Sequence, residues 1–233
     1  MRFDRAMFAA LALLLGSLAF SNASAEAVKV ELTHKGTSGM LEWIYDGHWR
    51  FANAGRFTLD VNSGAGSVEA FCVQSGVWLQ PGRVEYEIRN ANDYFGDRFT
   101  NVERLFAKHY ESAIDRKSNA AFQLALWEIV NEKPSEALDL TWTWFGGGAG
   151  HFFAKNWSGA RDLANEWLAD LDTYDGGSNT MANHKLYVLV AEGSQDLIVR
   201  KHAAVPEPGT LALLGFGLLA LGFAMRRRTR VAF

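Results

Sequence analysis

The chain is expected to be an α+β protein in which an antiparallel β-rich lobe carries an inserted helical lobe. Three observations point there. Apolar and polar residues alternate through the first half of the central region, the period becomes helical near residue 100, and alternation returns before residue 200. Strands, then helices, then strands favour an antiparallel sheet over a doubly wound one. The composition agrees, since 48% of the 233 residues are apolar and 21% charged, as in a folded protein rather than a disordered one.

The elements follow in order. Val28, Val30 and Leu32 share one face of a first strand, and Phe57, Leu59 and Val61 one face of a second. Val68, Ala70 and Cys72 define a third, and Val84, Tyr86 and Ile88 a fourth, with turn residues such as Asn62-Ser63-Gly64 and Pro81-Gly82 between them. Thr100 and Glu103 have capping-box spacing, and Val102, Leu105, Phe106, His109, Ala113 and Ile114 follow at helical intervals. A second helix is expected from Asn119 to Glu132, stopped by Lys133-Pro134 because proline lacks the amide proton the helix needs.

Leu138, Leu140, Trp142 and Trp144 alternate again before Gly146-Gly147-Gly148 interrupts the chain. The stretch Gly146 to Gly150 lacks the Gly-Lys-Ser/Thr ending of a phosphate loop and reads as a turn. Ser158 is placed to cap a third helix carrying Leu163, Trp167, Leu168 and Leu171, and strands at Leu186 to Ala191 and Asp196 to Arg200 close the domain. Most of the eight tryptophans fall at core-phase positions.

Both ends have a different character. Arg2 and Arg5, an apolar run from Ala6 to Phe20 and the small residues Ala23-Ser24-Ala25 have the three parts of a secretory signal peptide, cut after Ala25. The other end is Val205-Pro206-Glu207-Pro208-Gly209, then the apolar stretch Thr210 to Met225, then the basic residues Arg226, Arg227, Arg228 and Arg230. The stretch is helix-length but short for a permanent span, and the arginines belong on the cytoplasmic side. These parts together resemble the PEP-CTERM sorting signal. The resemblance implies recognition by an exosortase-type processing enzyme, transient residence in the inner membrane with the body on the periplasmic side, and delivery to the cell surface or extracellular matrix. Three segments result: 1–25, 26–204 and 205–233.

The terminal segments hold six of the 23 Lys and Arg and two of the 26 Asp and Glu, so the central region carries a net charge of −7. A nucleic-acid groove is excluded as a function on that balance. No cofactor is expected, and the six histidines show no metal-ligand spacing. One cysteine, Cys72, rules out an intramolecular disulfide and any multi-thiolate metal site.

Two residues carry the chemistry. The second helix reads Ala120-Ala121-Phe122-Gln123-Leu124-Ala125-Leu126-Trp127-Glu128-Ile129-Val130, apolar nearly all round. Gln123 shares a stripe with Leu126, Trp127 and Val130, where an unpaired amide would cost about 1–3 kcal/mol. Cys72 is a lone thiol on the core face of a strand in an exported chain, open to oxidation. A thioester between them would resolve both problems: sulfur acylated by the Gln123 side chain, ammonia released, and an electrophile left for amines or hydroxyls.

Phe71-Cys72-Val73 resembles the aromatic-Cys element of the Cys-Gln thioester domains of surface adhesins. Phe122-Gln123-Leu124-Ala125-Leu126-Trp127 is similar to their Thr-Gln-x-Ala-Ile-Trp motif. The resemblance implies a thioester-domain-like fold, an internal Cys72–Gln123 thioester and covalent attachment to an amine or hydroxyl on a surface or matrix molecule, with no turnover. The family's threonine is Phe122 here. Gln74, two residues beyond Cys72 on the same strand face, is a competing acyl partner. Extended geometry carries it ~6.6 Å away.

Two other functions remain open at this point. A cysteine hydrolase or transpeptidase would use Cys72 with His109, His151 or His184 as base, although a strand interior does not lower a thiol pKa. A matrix protein could instead bind polysaccharide non-covalently through its aromatic residues.

Overall fold

The computed structural model describes residues 27–33, 38–45, 47–61, 66–133, 135–142, 151–155, 159–174 and 184–202. The signal segment, the Asn62-Ser63-Gly64 turn, the Gly146 to Gly150 stretch, Ser158 and the whole carboxy-terminal tail lie outside these residues.

Among the described residues nine strands and four α-helices form a mixed α+β fold with antiparallel sheets. The strands are β1 (Ala27–Thr33), β2 (Ser38–Tyr45), β3 (His48–Gly55), β4 (Phe57–Val61), β5 (Gly66–Cys72), β6 (Arg83–Asn90), β7 (Phe152–Ala154), β8 (His184–Val190) and β9 (Leu197–His202). The helices are α1 (Ala91–Phe95), α2 (Phe99–His109), α3 (Arg116–Asn131) and α4 (Ala160–Asp170). Six strands close a barrel in the order β1-β4-β5-β9-β8-β6, and β3-β2-β7 make a second sheet. The helices enter between β6 and β8, so the helical lobe is an insertion between barrel strands.

Register explains which side chains face the helices. Ala70 pairs with Val199, Phe71 with Ile198 and Cys72 with Leu197, so Phe71 and Ile198 share the opposite face from Ala70, Cys72 and Leu197. Phe71 packs against Phe106, Tyr110 and Phe122, with ring centroids 6.4, 6.2 and 4.4 Å away. The end of β5 is therefore covered on both faces: Ala70, Phe71, Cys72 and Val73 are all buried.

Helix α3 is the spine. Every side chain from Ser118 to Ile129 is buried, as its apolar sequence requires. It starts earlier than Asn119, at Arg116, because Asp115 and Ser118 form a capping box: Asp115 Oδ1 accepts from the Ser118 amide at 2.7 Å, and Ser118 Oγ accepts from the Asp115 amide at 3.0 Å.

Several expected elements are corrected. Thr100 and Glu103 do not make a capping box; α2 begins at Phe99, its N-cap position is Arg98, and no side chain caps it, because the short helix α1 and a 3₁₀ turn lead directly into it. That helix ends at His109 and another 3₁₀ turn follows, leaving Ile114 76% exposed rather than on its apolar stripe. Leu138 to Trp142 form no strand, although the Leu140 carbonyl accepts from the Ala154 amide at the edge of β7. Gly159, with φ of 75°, holds the N-cap position of α4. The strands β2, β3 and β7 were not anticipated. Among the described residues no helix is long and apolar enough to cross a membrane.

Candidate functional site

Cys72 lies at the last position of β5, past the point where β4 has paired with it. The final β4–β5 pair is Phe57 with Ala70. On the other side the Val73 amide donates to the Asp196 carbonyl at 2.9 Å, which makes Cys72 and Leu197 a non-hydrogen-bonded pair and turns the Cys72 backbone groups away from β9. Both would be orphans in a buried place. Gln123 takes them: the Cys72 amide donates to Gln123 Oε1 at 2.9 Å, and Gln123 Nε2 donates to the Cys72 carbonyl at 2.7 Å. The carboxamide acts as a one-residue substitute for the missing strand, reaching from the middle of α3.

Sequence reasoning singled out both residues, and the fold brings them together. Gln123 is fully buried and Cys72 is 4% exposed with a free thiol. Burial raises the Cys72 pKa far above the ordinary thiol range, so the sulfur is protonated at neutral pH. Phe122, at the position of the family's threonine, fills an aromatic cluster with Phe71, Phe106, Tyr110 and Trp167.

The other candidates are placed elsewhere. Gln74 Oε1 accepts from the Asp196 amide at 3.0 Å, which engages its side chain with the β8–β9 connection. His109 stacks on Trp167 at 4.8 Å, its Nε2 is 3.6 Å from Asp170, and burial pulls its pKa down to about 4. His151 is exposed beside Glu136, and His184 starts β8. Among the described residues no hydrogen bond joins Cys72 to any of the three; its backbone partners are on Gln123. Among the described residues no group of His, Cys, Asp and Glu has the arrangement to hold a metal ion.

A cavity of about 800 Å³ opens beside the pair, within the size range of ligand pockets. Cys72 and Trp127 are part of its wall, whereas Gln123, bonded to the Cys72 backbone, is not. Trp43 stands 4.6 Å from Trp127 and donates from Nε1 to the Ser75 carbonyl at 3.2 Å, tying β2 to the segment that follows β5. At the rim, Trp49 is 48%, Phe51 70% and Trp78 68% exposed. Tryptophans therefore do not all belong to the core: Trp43, Trp127 and Trp167 do, while Trp49, Trp78 and Trp142 reach solvent. The cavity residues escaped sequence reasoning. The signal for them was Asp46-Gly47, a dipeptide that marks a tight hairpin between β2 and β3.

A second buried polar group braces α3. Glu128 Oε1 accepts from the Asp139 amide at 2.7 Å, and Glu132 accepts from the amides of His151 and Phe152, so two carboxyl groups hold the segments on either side of residues 143–150. Burial, and then the Glu132 charge, push the Glu128 pKa up to about 9.

The carboxy-terminal tail carries a sorting signal that implies an exported protein processed by an exosortase. Residues 204–228 match the PEP-CTERM protein-sorting motif. The sorting residues Val205 to Gly209 and the arginine cluster thus fall within or beside a matched motif, though their placement is outside the described residues. No curated protein matches the chain. Among solved structures the chain is similar to the thioester domain of the Staphylococcus aureus TIE protein, with 15% identity, a TM-score of 0.35, and coverage of 78% of this chain and 81% of that one.

Proposed function

We propose that the exported domain attaches covalently to amine or hydroxyl groups outside the cell through a Cys72–Gln123 thioester. The observation that supports this reading is the pair of hydrogen bonds between the Gln123 carboxamide and the backbone of Cys72. They hold the amide against the residue whose thiol would attack it. The Cys72 amide donates to Oε1, where negative charge develops when sulfur adds to Cδ. The thiol proton passes to Nε2, the C–N bond breaks, and ammonia leaves as the C–S bond remains. Because burial keeps the thiol protonated, the proton needed by the leaving nitrogen arrives with the nucleophile. An outside amine then takes the acyl group of Gln123 and frees the thiol. The chain is used once, without turnover, and is not an enzyme in this reading.

The tail fits the same purpose. Its apolar stretch, Thr210 to Met225, holds the chain in the inner membrane with the body on the periplasmic side until an exosortase releases or transfers it. Cysteine hydrolysis fits less well, since burial raises the thiol pKa instead of lowering it and His109 is occupied by Trp167 and Asp170. Non-covalent polysaccharide binding has in its favour only exposed aromatic rings at the cavity rim, those of Trp49, Phe51 and Trp78.

Intact mass decides the matter. Purified residues 26–204 should be lighter than the sequence mass by one ammonia, and Cys72→Ala or Gln123→Ala should each abolish the deficit. Methylamine should then add to the peptide containing Gln123 and release one titratable thiol per chain. A full sequence mass with a titratable thiol from the start overturns the reading.

A further inference from the structure

We propose that the cavity beside Cys72 receives an extended polypeptide segment as an added strand on β3, presenting a lysine to the thioester and an acidic side chain to Arg50. The proposal rests on the thioester reading for its chemistry and on the edge of β3 for its geometry.

The edge is open in a defined way. Among the described residues β3 pairs with β2 on one side and with no strand on the other. Tyr45 and His48 flank the two-residue turn as a hydrogen-bonded pair, so the backbone groups of His48, Arg50, Ala52 and Ala54 face β2. The next strand agrees with this parity, since the Glu42 carbonyl, on the alternate set, accepts from Lys155 beyond β7. Trp49, Phe51 and Asn53 therefore turn their amides and carbonyls outward. Six consecutive residues, Trp49 to Ala54, line the cavity, which only the backbone edge of a strand can do because successive side chains point to opposite faces. The facing wall is another run of consecutive residues, Gln74 to Gly82. A slot between an unpaired strand edge and a parallel wall is the shape of a strand-addition site.

Charge selects the occupant further. Among the described residues Arg50 is the one charged residue in the lining, no carboxylate joins it there, and its Nε has no hydrogen-bond partner. Its guanidinium lies over Gly76, where a Cβ would stand 3.7 Å from it. An unpaired, half-buried guanidinium facing a cavity calls for a carboxylate. The Nε1 of Trp127, a residue 2% exposed in the same lining, is likewise unpartnered, a second donor awaiting an acceptor.

Position along the slot follows from register. Phe57 opposes Ala70, so the chain beyond Ala70 runs back along β3, with Cys72 toward its Ala54 end and Gly76 at Arg50. All pairs in this fold are antiparallel, and an antiparallel guest would place a residue opposite Ala52 two positions before the one opposite Arg50. The recognised sequence is then Lys-x-Glu or Lys-x-Asp within a β-forming stretch. The neutral lysine Nζ attacks Gln123 Cδ of the thioester, the C–S bond breaks, the Cys72 sulfur takes the proton that the amine gives up, and an isopeptide bond remains.

The probe is the peptide acetyl-Thr-Val-Lys-Thr-Glu-Thr-Val-amide. Its conjugate with Gln123 should form at least roughly tenfold faster than the methylamine adduct at equal concentration, because docking supplies proximity. Methylation of the backbone nitrogen of the central threonine, opposite Phe51, should remove that advantage, whereas methylation at the lysine nitrogen should leave it. Asn53→Pro and Arg50→Gln should each return the rate to that of methylamine, and Asn53→Ala, which keeps the outward amide, should not. Binding of the same peptide to Cys72→Ser, followed by amide protection on β3, reads docking without the bond. Docking to Cys72→Ser with no ammonia loss in the wild type would sink the thioester and leave the slot; methylamine labelling with no peptide advantage would sink the slot and leave the thioester. A chitosan oligomer reacting faster than the peptide would overturn the polypeptide assignment in favour of an amino sugar.

Discussion

Phe71 and Phe122, the sequence neighbours of Cys72 and Gln123, pack with ring centroids 4.4 Å apart, so the two residues proposed to react are held by the two residues beside them. Phe122 also meets Phe106 edge-on at 5.0 Å. Phe122→Ala should lower unfolding free energy by about 3–5 kcal/mol, the usual cost of emptying a buried phenyl site. Chemical denaturation measures it. A loss under about 1 kcal/mol would mean that this junction is not packed as described.

Gln123→Met tests the strand-substitute role separately from chemistry. Methionine fills similar space but leaves the amide and carbonyl of Cys72 unpaired, which should destabilise the domain by about 1–3 kcal/mol. Amide exchange at Cys72 should quicken at the same time. Unchanged protection there would show that Gln123 does not hold the end of β5.

The Cys72–Gln123 pair and the β2–β3 hairpin beside it were not equally legible in the sequence. Cys72 and Gln123 stood out because a lone thiol and a lone amide interrupt apolar patterns, and buried polarity must be satisfied. The hairpin of β2 and β3 was hidden because Met40, Trp49 and Phe51 put large apolar side chains on the solvent face, which erases the alternation a strand should show. Thr100 and Glu103 had the right spacing by accident of composition; the working box uses Ser118 where a glutamate is commoner. The inserted helical lobe was foreseen, since order along the chain sets it, but the closure of six strands into a barrel depends on long-range pairing that no local pattern carries.

Glu128 should set the alkaline limb of stability. Its pKa rises from 4.5 to about 9 on folding, so across that interval the folded chain keeps a proton the unfolded chain gives up. Stability therefore falls as pH rises through the window. Glu128→Gln retains an acceptor for the Asp139 amide and should flatten the decline between pH 6 and 9, leaving a residual slope from Glu132, whose pKa is also raised by burial. Thermal melts across that range measure the slope, and an unchanged slope would place the titration elsewhere.

His109 acts in the opposite sense. Burial lowers its pKa from 6.5 to about 4, so the unfolded chain binds the extra proton in this interval and stability rises with pH across it. His109→Phe should keep the stack on Trp167, remove an Nε2 that has no hydrogen-bond partner, and weaken the acid dependence. Melts between pH 4 and 6.5 that matched the wild type would refute this.

Replacing Pro206-Glu207-Pro208 with alanines should leave an unprocessed form in the inner membrane, since the apolar stretch remains while the triplet is gone. Fractionation followed by immunoblotting shows it. Equal processing of both forms would exclude an exosortase acting on this tail.

The pairing of β5 with β9 has a mechanical consequence. The tail continues from the His202 end of β9, while Cys72 sits opposite Leu197 at the other end of that strand. Tension between the proposed bond at Gln123 and an anchor in the tail would enter through α3, pass in part to the end of β5 through the carboxamide that holds the Cys72 backbone, and leave along β9. Shear loads the rungs of the ladder together, whereas a pull across the strands would open them one after another. Neighbours on both outer sides, β4 and β8, share the strain around a ring that has no free margin from which to peel. If the proposed bond forms, the closed barrel would meet a load between α3 and the tail as shear along β9 rather than as peeling from an edge.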